Sequence, residues 1–304
     1  MRLGLVITYI LIATPGVFAQ QQATYSQYMF NGLAINPAYA GHHDALSATI
    51  LGRIQSLGVD GAPETQTFSI HTPLLKEKFS VGLLFIRDKI GVIDQMSFNA
   101  SYAYRIKLSE KARLSFGLQA GFGSYNAEYS KLIMPPNTVD PVFSGDVKSS
   151  RPNFGFGIFF HNEKLYAGIS LPHLVNNVFD RSADFVTVQQ DKPIILNAGY
   201  VVTLNRTFKL KPNMLLKVVN GRTVEFDFNL NLLIDEVLWL GASIKTINAV
   251  NIIFDVQLTN QFRLGYSYSI TMNSFRQADL GSHELMLNYR FNYPKEAIIN
   301  PRHF

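Results

Sequence analysis

From Arg113 to Gly123 the chain alternates with a period of two. Leu114, Phe116, Leu118, Ala120 and Phe122 fall on one face, and Arg113, Ser115, Gly117, Gln119, Gly121 and Gly123 on the other. Successive side chains of a strand point to opposite sides, so this is a strand with an apolar face backed by a small, polar one. The pattern recurs. Met96, Phe98, Ala100, Tyr102 and Tyr104 oppose Gln95, Ser97, Asn99, Ser101 and Arg105. Val224, Phe226, Phe228, Leu230 and Leu232 oppose Glu225, Asp227, Asn229 and Asn231. Phe262, Leu264, Tyr266, Tyr268 and Ile270 oppose Arg263, Gly265, Ser267, Ser269 and Thr271. Leu285, Leu287, Tyr289 and Phe291 oppose Glu284, Met286, Asn288 and Arg290.

A soluble β-sandwich alternates too. Three features favour a membrane barrel. Many runs reach ten or more residues, against the ~5–6 of an ordinary strand. The turns between them are short and polar, as at Leu108-Ser109-Glu110, His161-Asn162-Glu163, Asn205-Arg206 and Asp235-Glu236. Tyr and Phe gather at strand ends, where an interfacial girdle would sit.

Composition agrees. Charged residues make up 16% of the 304-residue chain and aromatics 12%. Soluble chains carry about 25% charge, so this one is short of charge to coat a water-exposed surface. There is no cysteine, hence no disulfide framework, thiolate chemistry or lipid-modified Cys. The net charge of +5 comes from scattered Lys and Arg, without the basic run that marks nucleic-acid binding.

Residues 1–19 read as a secretory signal: Arg2, an apolar stretch over Leu3–Ala13, a Pro15-Gly16 break, and Val17-Phe18-Ala19 as the cleavage site. The apolar stretch is shorter than the ~20 residues of a spanning helix. Beyond it no apolar run approaches membrane-helix length, and bilayers accept only helices or closed barrels. The expected product is an exported, all-β, transmembrane antiparallel barrel of about fourteen strands. Its strands fall near 44–54, 63–72, 79–88, 92–107, 111–125, 153–160, 164–171, 193–204, 207–218, 222–234, 237–246, 249–259, 262–272 and 283–292. The organisation is then a signal peptide (1–19), an N-terminal aromatic segment (20–43), the barrel (44–293) and a C-terminal tail (294–304).

Loop lengths sort by parity. Even-numbered connections are short, and the long ones, 126–152 and 172–192, are the fifth and seventh. Barrels of the outer-membrane type keep their long loops outside, so odd connections should face outward. On the inner face, Lys209, Lys211 and Lys217 neighbour Glu225 and Asp227, and opposite charges can pair across strands. A generic polar interior explains them.

Catalytic constellations are weak. Ser170, His173 and His161 lie close in sequence, but their spacing matches no nucleophile elbow and no acid partners Ser170. His42-His43-Asp44 has metal-ligand chemistry, yet neighbours on an extended chain point apart, and a solvated turn leading into the first strand fits better. Asp140, Asp146, Asp180, Asp184 and Asp191 could serve Ca²⁺, but without the ordered Asp-x-Asp-x-Asp-Gly loop they read as solvated acids. Gly121, Gly123, Gly155 and Gly157 form GxG pairs on strands, where Gly relieves crowding; they are not phosphate loops. The expectation is no catalytic, cofactor or metal residue.

Residues 25–41, YSQYMFNGLAINPAYAG, are neither helix nor clean strand. Tyr25, Tyr28, Met29 and Phe30 form an apolar cluster, Asn31-Gly32 and Asn36-Pro37 punctuate turns, and Tyr39-Ala40-Gly41 leads into the first strand. Rigid aromatics make good anchors because they lose little entropy when fixed. Three roles stay open: a lumen plug, a periplasmic rim dock for a partner, or a structural lid.

This stretch resembles the N-terminal signature of the PorP/SprF family of type IX secretion outer-membrane proteins. Further along, Arg53-Ile54-Gln55 and Thr67-Phe68-Ser69-Ile70-His71-Thr72-Pro73 are similar to the family's next motifs, as is Gly-Val-Ile-Asp-Gln after Ile90. Where the family has a Trp after Arg-x-Gln, this chain has Ser56-Leu57. The resemblance implies a non-enzymatic barrel in the outer membrane of a gliding or protein-secreting bacterium. It implies no cofactor. Its expected partners are outer-membrane lipid, a large secreted surface protein (an adhesin) recognised through a type IX C-terminal domain, and other secretion components including a periplasmic peptidoglycan-binding protein. Candidate contacts are Tyr25, Tyr28, Met29, Phe30, Asn36, Pro37 and Tyr39, with the loop residues Phe143, Phe179 and Phe185. The alternatives are a plugged barrel for small-solute transport and, more weakly, an envelope hydrolase using Ser170.

Overall fold

The computed structural model of the chain describes residues 25–74, 78–132, 145–182, 185–219, 222–246, 249–272 and 280–291. The signal segment and the C-terminal tail lie outside them. Seven strands follow one another around a wall: β1 (Leu46–Ile54), β2 (Glu64–Leu74), β3 (Phe79–Ile90), β4 (Ile93–Lys107), β5 (Arg113–Ala127), β6 (Val147–His161) and β7 (Leu165–Leu171). β8 (Val178–Ser182) and β9 (Phe185–Gln189) pair only with each other. β10 (Ile194–Tyr200) rejoins the wall and β11 (Val202–Thr203) prolongs it, both against β12 (Phe208–Val219). β13 (Arg222–Ile234), β14 (Leu238–Lys245), β15 (Ala249–Gln257), β16 (Phe262–Thr271) and β17 (Ser282–Phe291) complete the circuit.

The sheet has no free edge. β10 bridges β7 and β12, and β1 pairs with β17 from Leu46↔Phe291 to Ile54↔His283. With β10 and β11 as one stave, the result is a closed barrel of fourteen antiparallel strands. Closing the sheet on itself leaves no open edge, the condition for placing strands in hydrocarbon.

The alternation decides which face looks outward. On β5, Leu118 is 60% and Phe122 55% exposed, whereas Ser115 and Gln119 are buried. The apolar residues form the outer surface, and the small and polar ones face in. An apolar exterior with a polar interior is the membrane-barrel arrangement, inverse to a soluble core. Short turns close one end. At Asp235-Glu236 both residues have positive φ, 48° and 60°, and Val237 N–H donates to Ile234 O. That is the primed turn whose twist suits a tight hairpin.

The expected segments fall on these strands, with two differences. β6 starts at Val147, six residues before the expected 153, and pairs with β5 through Ala127↔Val147. Beyond the hydrocarbon a stave needs no apolar outer face, so Lys148 to Asn153 lose the alternation while the ladder continues. The loop expected over 172–192 contains its own hairpin, β8–β9.

Candidate functional site

Residues 25–44 occupy the lumen. The segment is built of three single 3₁₀ turns, Tyr28–Phe30, Gly32–Ala34 and Pro37–Tyr39, and nearly all of it is buried. Its sequence explains the form. Asn36 accepts the Ala38 N–H (2.9 Å), with Pro37 at the first position of the last turn, the arrangement that starts a short helix. Too brief for internal ladders, the segment takes its remaining polar contacts from the wall.

Those contacts fix its direction. At the end carrying the odd-numbered connections, Glu284 of β17 accepts the backbone N–H groups of Ser26 (3.0 Å) and Gln27 (2.9 Å). Arg53 of β1 stands 3.4 Å from the same carboxylate. Tyr25 hydroxyl bonds Thr67 Oγ1 (2.7 Å), and Lys245 donates to Tyr25 O (3.4 Å). Midway, Asn36 Nδ2 donates to Ile158 O (3.0 Å), Ser170 Oγ donates to Ile35 O (2.5 Å), and Ser69 Oγ donates to Asn31 Oδ1 (2.8 Å). At the short-turn end, Gly41 N–H donates to His71 Nδ1 (3.1 Å). Arg105 there donates to Gly41 O and to Asp44, each at 2.6 Å. The chain therefore descends the lumen from the long-loop end and turns into β1 at the other.

Packing supplies the rest. Phe30 lies 6.0 Å from Trp239, with the Arg263 guanidinium 4.0 Å above its ring. Lys211, fully buried, has its ammonium 5.3–5.6 Å from the rings of Phe30, Tyr166 and Trp239. Desolvated cation–π pairs contribute about 2 kcal/mol each. Tyr25, Tyr28, Met29 and Phe30 pack with Leu51, Leu233, Ile253 and Met286, inward residues of the wall. Glycines make the fit possible. A Cβ on Gly117 would overlap the backbone at Ala38, and one on Gly157 would overlap the Asn36 carboxamide.

The aromatic segment thus fills the lumen and does not rim it. Tyr25, Tyr28, Met29, Phe30, Asn36, Pro37 and Tyr39 are all buried against their own barrel. Phe179, on the β8–β9 hairpin, stacks on Tyr125 at 6.0 Å and 28°. Phe185 opens β9, its side chain outside the described residues, and Phe143 lies outside them altogether.

Other expectations are redrawn. His42 is buried, not solvated, its ring 4.4 Å from His161 and 4.7 Å from Tyr39. Aromatic packing around the plug's lower end covers it. Among the described residues no cluster of His, Asp and Glu could hold a metal. Ser170 is spent on the plug carbonyl. Asp146 accepts from Ser130 N–H and Oγ, which hold its carboxyl below the ordinary range. The inner charges do pair, with different partners: Lys245 stands 3.7 Å from Asp227 and 3.9 Å from Glu225, and Lys209 reaches Glu236. Glu284 and Arg105 sat unremarked among the inward polar residues of the alternation; that a lone charge on an inward strand position must find a partner was the available signal.

Fold and lumen together define a plugged fourteen-stranded barrel of the outer-membrane type. A family model described as "Type IX secretion system membrane protein PorP/SprF" matches residues 17–289, and the chain belongs to that family. Among curated proteins, no sequence matches the chain. Among solved structures, the monoaromatic hydrocarbon channel CymD is similar over 86% of this chain and 93% of its own, at 10% identity and a TM-score of 0.57. A FadL homologue of Pseudomonas aeruginosa covers 85% of this chain and 94% of its own, at 12% identity and a TM-score of 0.49. Identity this low reports the barrel fold alone. The protein is a secretion-associated barrel of the outer membrane.

Proposed function

We propose that this barrel holds a large secreted surface protein, an adhesin bearing a type IX C-terminal domain, at the cell surface or assists its final export. The observation that carries the reading is a lumen closed by the protein's own chain beneath a face that gathers the long connections. A barrel packed in this way has little use as a passage, and its free variable is what docks on the loops. Phe143 and Phe185 are the loop aromatics offered to that partner, while Phe179, stacked on Tyr125, seats the hairpin that carries Phe185; aromatic anchors dominate protein interfaces. Tyr25, Tyr28, Met29, Phe30, Asn36, Pro37 and Tyr39 act in this reading as the floor that keeps the loops in place. The short-turn face is left for the periplasmic secretion components, a peptidoglycan-binding protein among them.

Deleting residues 172–192 tests the loop role. The barrel still inserts, because β7 and β10 stay paired with their neighbours, while the partner leaves the surface. Unchanged surface retention of the co-purifying protein overturns the proposal. A gentle-detergent pull-down identifies the partner: a stoichiometric secreted protein supports the anchor, and periplasmic components alone speak for a part of the secretion apparatus.

A further inference from the structure

Above the plug, at the long-loop end, the barrel encloses a cavity of about 530 Å³. Small-molecule sites typically run from about 300 to 1,000 Å³. Its floor is Tyr25, Tyr28, Ala34 and Ile35 of the plug, and Phe179 and Val188 of the β8–β9 hairpin border it.

The two sides differ in chemistry. On β3 the inward positions Leu84 and Ile86 are aliphatic, although inward positions elsewhere are mostly small or polar, and neither belongs to the cluster that packs the plug. Nearly opposite around the wall, β12 and β13 present Lys217 and Glu225, cross-strand partners. Asp191 stands beside them on the loop. Tyr28 lines the same cavity, and its buried hydroxyl has no hydrogen-bond partner among the described residues. The cavity therefore offers an apolar wall and a polar wall.

Charge sets the class of ligand. Asp88, Asp191 and Glu225 line the cavity against the single ammonium of Lys217. His173, also on the lining, is held neutral at pH 7, since burial and then Lys217 lower its pKa to about 4. An anion would meet an excess of negative charge; a cation would offset it. Asp88 is already tied to Thr65 Oγ1 (2.6 Å) and Glu225 lies near Lys245, which leaves Asp191 for the guest.

We propose that this cavity is a binding site for a small cationic amphiphile, its apolar body against Leu84 and Ile86 and its ammonium toward the polar side, at Asp191. The site is separate from the surface-protein docking proposed above and stands or falls without it.

The chain has no cysteine, so one introduced thiol reports on the cavity alone. Ser97→Cys places it on the lining, and Ser109→Cys places a control on an exposed turn at the opposite end. The probes are octylamine, octanol and octanoate, which share an apolar body and differ in the head. The readout is the rate of modification by methyl methanethiosulfonate in the full-length barrel. Octylamine should slow Ser97→Cys by about tenfold, equivalent to 1.4 kcal/mol of occupancy, octanol by less and octanoate not at all, with Ser109→Cys unaffected. Equal protection by octanoate, or none by octylamine at saturation, overturns the proposal. Native mass spectrometry gives a second reading: one octylamine per barrel in the parent, and a lower occupancy in Ile86→Trp, whose indole takes the place of the aliphatic wall and narrows the cavity. If Ile86→Trp does not fold, the thiol measurement still decides.

Discussion

Glu284 shows how one side chain can decide whether the lumen is filled. Its two oxygens take two backbone N–H groups ahead of the first 3₁₀ turn, and Arg53 balances its charge. Removing one member of a buried pair costs about 3–5 kcal/mol because the other charge stays behind unpaired. Glu284→Ala should therefore loosen the upper end of the plug and leave Arg53 stranded. Trp239, the only tryptophan, lies against Phe30 and reports the change: its emission should move to longer wavelength in the folded barrel. An unchanged spectrum would show that the clamp is dispensable. Glycine gives the converse test. Gly157→Leu leaves the outer surface and the ladder alone but puts bulk where Asn36 sits. Overpacking costs about 1–3 kcal/mol, here charged to the plug, so limited proteolysis should cut residues 25–41 in the variant and spare them in the parent. The sequence showed these glycines on strands; it could not show what they face, because the segment they accommodate lies about 80 to 120 residues away in the chain.

At the level of the element, the β8–β9 hairpin and the segment leading to it are tied to the wall by hydrogen bonds around His173. Its Nδ1 lies 2.8 Å from Asn153 Oδ1 and 3.1 Å from Gln190 Nε2. Burial and then the Lys217 charge lower the ring's pKa from 6.5 to about 4. A released loop binds a proton near pH 6.5, and a seated one only near pH 4. The undocked state thus holds more protons throughout that window, so seating weakens as pH falls from 6.5 to 4 and is pH-independent above it. The protection of residues 174–190, their exchange rate taken relative to the intrinsic base-catalysed rate at each pH, should fall across this window and stay constant between pH 7 and 8; His173→Gln should flatten the dependence. The β strands of the wall were legible because a lipid-facing side imposes period two on every stave. The hairpin was not, since a loop outside the hydrocarbon answers to no such rule. The same holds for the first residues of β6, where pairing persists after the alternation has stopped.

For the molecule as a whole, the plug settles what the barrel wall leaves open. Fourteen strands enclose more space than the eight whose side chains fill a barrel unaided. Here the surplus is taken by twenty residues from the N-terminal side. In planar bilayers the intact protein should show no large, stable conductance, and a chain lacking residues 25–41 should show steps of hundreds of picosiemens if it still closes. An intact barrel that conducts steadily would revive the solute-transport reading. The closed all-β wall, its strand number and the sorting of its loops could be read in advance from residue patterns. The position of the aromatic segment could not, for its composition suits a rim as well as a core, and only the inward charges and glycines of distant strands choose between them.

The clamp on the plug also carries a record of manufacture. Arg53 belongs to the first strand and Glu284 to the last, and these two strands form the seam at which the cylinder shuts. Ser26 and Gln27 can be gripped by both only after the final stave has arrived. The two-strand grip on the stopper therefore cannot come before the wall is sealed. A barrel whose last strand has not yet docked lacks this clamp.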